Sequence, residues 1–155
     1  MKRKKTSHIS HLTSHNQAIG IVVAKFNTPI TQRLLQSCLK TLKKQGISEK
    51  TIRTIWVPGS YEIPWAAQEL ALQGYPVVIC LGAIFQGETP QNAHIAAACA
   101  QSLQDIAIKT RTPCIFGIIT PRTKKQAWAR TRGNLDRGKE AAEVALSMLN
   151  LKRTL

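Results

Sequence analysis

Short stretches of this 155-residue chain, chiefly the loops "KFNTP", "VPGSYEIP", "GAIFQGETPQ" and the segment after "FGIIT", combine side chains and backbone able to bind or transform a ligand. In "GAIFQGETPQNAH", Gly87 lets backbone approach a ligand closely, and Thr89-Pro90 opens a helix. Free amide N–H groups at such a start, those of Glu88 and Thr89, suit a phosphate. The same pair also reads as an ordinary cap and first-turn pair. In "VPGSYEIP", Glu62 stands between two prolines and beside Tyr61. Its carboxylate can accept hydrogen bonds from substrate hydroxyls, or merely favour the positive start of a helix. Arg130, in "QAWARTRG", offers a guanidinium for charge-assisted phosphate binding, the plainer alternative being a solvated surface arginine. Phe26 and Phe116 sit at the ends of apolar runs and can stack on a planar ring, although each taken singly reads better as core. His94 is the one histidine near these stretches, and by itself it reads as a packed or interface residue.

The elements that must position these groups follow from alternating patterns. "AIGIVVAKF" is a β-branched run that predicts a buried strand. In "NTPITQRLLQSCLKTLKKQG", Thr28 is expected as the cap and Pro29 as the first helical residue. Ile30, Leu34, Leu35, Cys38, Leu39 and Leu42 then share one face, and Gly46 ends the helix. Three more rounds repeat the theme: "TIRTIWV" with "IPWAAQELALQG", "PVVICLG" with "PQNAHIAAACAQSLQDIAIK", and "CIFGIIT" with a helix opened by Thr123-x-x-Gln126. "GKEAAEVALSMLN" adds a last helix. Near-continuous apolar strands between helices predict an α/β, three-layer doubly wound sandwich, a four-stranded parallel sheet with helices on both faces. In such a sheet ligands collect beyond the carboxyl ends of the strands, which is where the four stretches fall.

Composition narrows the class. Residues 1–16 are expected to be a basic polar leader and 17–155 one domain with a full core. No apolar run approaches the length of a bilayer span and the leader lacks a signal-peptide core, so the expected compartment is cytoplasmic, with no membrane partner. Cys38, Cys80, Cys99 and Cys114 lie far apart inside apolar segments, which reads as reduced core thiols and not as metal ligands. The 22 basic residues against 8 acidic give a formal charge of +14, a footprint that also fits nucleic-acid binding. The cations are dispersed and lack regular aromatic interleaving, so a solvated basic surface is the preferred reading over a nucleic-acid groove.

Taken together, "AKFN", "VPGSYEIPWAAQ", "GAIFQGETP" and "PCIFGIITPRTKKQAWAR" resemble the lumazine synthase family in order and spacing, over nearly the whole chain after the leader. The resemblance implies a flavodoxin-like fold and a reaction that needs no metal or organic cofactor. That reaction condenses a small-molecule pair, 5-amino-6-(ribitylamino)pyrimidinedione and 3,4-dihydroxy-2-butanone 4-phosphate, into 6,7-dimethyl-8-ribityllumazine, releasing phosphate and water. It implies that Phe26 stacks on the pyrimidinedione, with Asn27 beside it as a further candidate. Ser60, Tyr61 and Glu62 would bind the ribityl chain, and Ala83, Ile84 and Phe85 would line the heterocycle site. Glu88 and Thr89, by backbone, and Arg130, by side chain, would hold the phosphate. Phe116 would reach the substrate from a neighbouring subunit of a homopentamer.

The departures are as informative. Where the family usually has a histidine and an aromatic residue, this chain has Gln91 and Asn92, and Gln86 stands where an arginine is usual. The stretch after Arg130 is shortened to "TRGNLDRG", with Arg137 in the place of a lysine. Gln91 can orient a substrate but cannot take up a proton near neutral pH. Positioning by the site, with Arg130 at the reacting centre and the substrate's phosphate as a proton acceptor, still leaves a slower enzyme. His94, three residues on, is the alternative base. The altered turn favours free or paired pentamers over a sixty-subunit shell. The competing expectation is a non-catalytic protein that binds ribityl-flavin precursors or serves as an oligomeric scaffold, its basic surface binding polyanions.

Overall fold

The computed structural model describes residues 18–155, and the expected basic leader lies outside them. Four strands, β1 (Ile19–Ala24), β2 (Ile52–Val57), β3 (Val78–Ala83) and β4 (Cys114–Ile119), form one parallel sheet in the order β2-β1-β3-β4. The two central strands are buried at every residue, which explains why they read as unbroken apolar runs.

Alternation of side chains divides the core between two faces. Ile19, Ile21 and Val23 point to the face covered by α1 (Thr28–Lys44) and α5 (Arg137–Thr154), meeting Leu34, Leu42, Ala145 and Leu149. Val22 and Ala24 point to the other face, where α2 (Ile63–Leu72) and α3 (Gln91–Thr110) bring Leu70 and Leu103. This is the three-layer sandwich the alternation predicts. The short α4 (Lys124–Ala129) follows β4 and buries Ala127 against the first face.

Two helix starts depart from expectation. The cap of α1 is Asn27, held left-handed at φ 62, and Thr28 is already helical, its hydroxyl donating back to the Lys25 carbonyl. Asparagine tolerates that backbone region, whereas a β-branched threonine resists it. Pro90, not Thr89, occupies the cap position of α3, so the helix begins at Gln91. The expected Thr123-x-x-Gln126 cap is present. Thr123 Oγ1 accepts from the Gln126 amide at 3.1 Å, and Gln126 Oε1 accepts from the Arg122 amide at 2.8 Å.

Cys38, Cys80 and Cys99 are buried and Cys114 is half-buried, all as free thiols. Burial pushes Cys38 up to about 12 and Cys114 up to about 11, with Asp136 adding to the rise at Cys38. No helix among the described residues is long and apolar enough to cross a membrane.

Candidate functional site

Because all four strands run parallel, the loops after them share one rim. At its centre β1 and β3 lie side by side, and the helices that follow them leave to opposite faces, which opens a crevice between the two strand ends. The rim is tied together by backbone. Lys25 N donates to Val57 O at 2.8 Å and Phe26 N to Pro58 O at 3.0 Å, joining the first loop to the second. Asn27 Nδ2 donates to Ala83 O at 2.7 Å, joining the first loop to the third. Ile84 N donates to Ile119 O at 2.8 Å and Gln86 N to Pro121 O at 3.2 Å, joining the third to the fourth.

On this rim Phe26 is 72% and Tyr61 64% exposed, so the reading of Phe26 as core is overturned. A large aromatic left this open, at a strand end that is otherwise fully packed, presents a stacking face. Ser60 is buried, and its hydroxyl occupies the space a side chain at Gly82 would need, since a Cβ there would fall 2.5 Å from Ser60 Oγ. Its carbonyl accepts from the Cys99 thiol at 3.1 Å, a donor kept neutral because burial and the nearby Glu62 charge both raise it. Glu62 occupies the cap position of α2 but its carboxylate caps no amide. The exposed acid stands at the start of α2, where its charge also favours the positive helix end, and its carboxylate is left free to accept from a ligand. Ala83 and Ile84 are buried and Phe85 is half-buried, Ala83 and Phe85 packing on the face covered by α1 and α5 and Ile84 on the other.

The loop after β3 is exposed from Gln86 to Gln91. Among the described residues neither the Glu88 nor the Thr89 amide donates a backbone hydrogen bond, which leaves two N–H groups beside the start of a twenty-residue helix. Gln91 is the first residue of that helix and is exposed, Asn92 is half-buried, and His94 is exposed one turn further along.

The remaining candidates gather elsewhere. A cleft of about 860 Å³ runs along the outer side of β4, and its lining includes Phe116, Thr120, Gln126, Arg130, Arg137 and Glu140. Phe116 is 45% exposed there, again against the core reading, because β4 is an edge strand and α3 covers only part of it. Arg130 caps the end of α4, and its carbonyl accepts from Arg137 N at 2.8 Å. Arg137 pairs with Glu140. Among the described residues no carboxylate pairs with Arg130. Phe26, Ser60, Tyr61, Glu62, Glu88 and Thr89 are all absent from this lining. One chain thus displays a rim with exposed aromatics and a carboxylate and, apart from it, a cleft lined by two arginines. Thr120 and Gln126 were missed as cleft residues, Gln126 because its capping role already accounted for it.

The family model of 6,7-dimethyl-8-ribityllumazine synthase matches residues 16–153. A protein of that name from Protochlamydia amoebophila (strain UWE25) is 38% identical over 135 residues, covering 86% of this chain and 78% of the relative. Proteins of the same name from Coxiella burnetii strains CbuG_Q212 and RSA 493 are 36% identical over 146 residues, covering 93% of this chain and 97% of each relative. Since both the family match and the relatives extend across nearly the full length, including every loop of the rim and the β4 cleft, the chain belongs to the 6,7-dimethyl-8-ribityllumazine synthase family.

Proposed function

We propose that this protein is a cytoplasmic transferase of riboflavin biosynthesis. It condenses 5-amino-6-(ribitylamino)pyrimidinedione with 3,4-dihydroxy-2-butanone 4-phosphate to give 6,7-dimethyl-8-ribityllumazine, phosphate and water. What supports the reading most is the chemical division of the chain. One substrate is a planar ring with a chain of hydroxyls, and the rim offers an open Phe26, Tyr61 and an uncommitted Glu62 carboxylate. The other is a phosphate ester, and the chain offers two undirected amides at Glu88 and Thr89 and an Arg130 without an ion-pair partner among the described residues.

In this mechanism Phe26 stacks on the pyrimidinedione, Ser60, Tyr61 and Glu62 hold the ribityl hydroxyls, and Ala83, Ile84 and Phe85 form the floor. Arg130, with the Glu88 and Thr89 amides, fixes the phosphate so that the ketone carbon faces the ring's amine. Attack of the amine on the ketone carbon and loss of a first water give an imine. The phosphate then leaves as its carbon–oxygen bond breaks, Arg130 stabilising the charge that develops on it, and the ribitylamino nitrogen closes the ring on the second carbonyl with loss of a second water. Gln91, in the position of the family's usual histidine, orients the reacting groups without titrating. The departing phosphate accepts the proton.

The two half-sites require a second copy. Phe116 and Arg130 line one cleft, so the copy that supplies the first supplies the second, and a neighbour's rim closes over both. A homopentamer, free or paired, satisfies this with each subunit giving a rim to one site and a cleft to the next. Residues 17–155 act as a single domain in that assembly. Light scattering at micromolar concentration that returned a stable monomer would remove it.

A single-turnover experiment with both substrates, followed by lumazine absorbance, tests the reaction itself. Formation of product above the uncatalysed rate is expected. Binding of the lumazine product without its formation would instead establish a non-catalytic precursor-binding protein, a reading favoured by the one residue that cannot titrate, Gln91.

A further inference from the structure

The turn "TRGNLDRG" between α4 and α5 is built around one carboxylate. Asp136 caps α5, its Oδ1 accepting from Gly138 N at 3.0 Å and from Lys139 N at 3.1 Å. Its other oxygen, Oδ2, accepts from the Ser37 hydroxyl on α1, ninety-nine residues away in sequence. The two helices are close-packed at the same place. A Cβ at Gly138 would lie 2.2 Å from the Leu34 carbonyl oxygen, so glycine alone lets the first turn of α5 rest on the α1 backbone. Asp136 is thereby fixed to a helix that belongs to the core, while the turn itself has Arg132, Gly133, Asn134 and Leu135 exposed.

The residue next to this anchor is Arg137, whose amide closes the turn on the Arg130 carbonyl at 2.8 Å. Both arginines belong to the lining of the β4 cleft, Arg137 in an ion pair with Glu140 of the same lining. A movement of Asp136 therefore moves Arg137 directly and Arg130 through that backbone bond. We propose that Asp136, held by Ser37, is a positioning residue for the phosphate-bearing substrate: it fixes the turn that carries Arg130, the cleft cation that has no carboxylate partner among the described residues. The inference rests on the reading of Arg130 as a phosphate ligand. Groups that hold a binding side chain in place typically govern affinity strongly even without touching the ligand.

The test uses inorganic phosphate as the probe, measured by calorimetry on the whole protein, so that no turnover is needed. Asp136→Ala should weaken phosphate binding by roughly tenfold, the size usual for losing a supporting residue. Asp136→Asn should stay within about twofold of the unaltered protein, because its amide oxygen still caps α5 and its NH₂ can donate to the Ser37 hydroxyl. Ser37→Ala, which leaves the cap on α5 intact, should fall between the two. With both substrates, KM for the butanone phosphate should rise in Asp136→Ala while KM for the pyrimidinedione holds. If Asp136→Ala lowers only the unfolding midpoint and leaves phosphate affinity unchanged, the residue is merely a cap and the proposal is overturned. Equal losses in Asp136→Asn and Asp136→Ala would also overturn it, since charge and not geometry would then matter. Phosphate binding lost in Arg130→Ala but kept in Asp136→Ala and Ser37→Ala sinks this inference alone. No phosphate binding in the unaltered protein removes the reading beneath it as well.

Discussion

The rim and the cleft are held in place by different physics. The rim loops are joined by backbone hydrogen bonds that pass from loop to loop, with Asn27 as the one side-chain tie between them among the described residues. The cleft's two arginines flank a turn with four exposed residues, fixed by a helix cap and one interhelical hydroxyl bond. The rim thus rests on features nearly inseparable from the sheet, whereas the cleft's arginines rest on a locally stabilised turn. The two halves can therefore be damaged independently.

The most severe test of that independence places each lesion in a different subunit. Glu62→Ala removes the carboxylate of the rim and Arg130→Ala the cation of the cleft. Each assembled alone should be close to inactive. Assembled together from an unfolded one-to-one mixture, they should recover activity in about a quarter of the sites, because random neighbours pair an intact rim with an intact cleft that often. No recovery would mean that rim and cleft of one chain serve the same site.

Arg130→Ala by itself should weaken binding of the butanone phosphate by about 2 kcal/mol, roughly thirtyfold, with little change for the pyrimidinedione. Separate titrations of the two ligands check this, and equal weakening of both would misplace Arg130. Next in size, Gln91→His should raise turnover by roughly tenfold or more and add a rise in rate as pH passes upward through about 6.5, the unperturbed histidine value. A base works only when deprotonated, so the gain appears above that pH and is absent below it. His94→Ala serves as the control: if it abolishes activity while Gln91→His adds nothing, the base stands one turn further along α3. The smallest effect belongs to Asn27→Gly, which keeps the left-handed backbone accessible but deletes the bond to Ala83. A cost of about 1 kcal/mol in denaturant unfolding is expected, with KM rising for the pyrimidinedione only.

Much of this arrangement is legible in the amino-acid order alone. The strands stand out because central parallel strands are buried on both faces, and the helices because of their apolar stripes and the Pro and Gly residues that bound them. The starts of α1 and α3 are displaced because Asn27 and Pro90 each set a local backbone state that composition does not reveal. The exposure of Phe116 is hidden for another reason. "CIFGIIT" reads like any core strand, and only the spatial order β2-β1-β3-β4 makes it an edge. The separation of Arg130 from Glu88 and Thr89 depends on the same fact. Family resemblance names these residues together, while the fold of one chain sets the cleft apart from the rim.

That edge strand has a bearing on the life of the chain before it meets another. Cys114–Ile119 has the sequence CIFGII, with no charge and strong β-forming residues. Its outer backbone groups have no strand partner among the described residues. A newly made subunit therefore displays a short template for aggregation. Its two ends are guarded: Pro113 and Pro121 have no amide to extend a ladder, and Arg111 and Arg122 place like charges beside any copy that aligns in register. Changes at these four residues should therefore be felt first in the yield of soluble protein, whatever the rate of the enzyme once assembled.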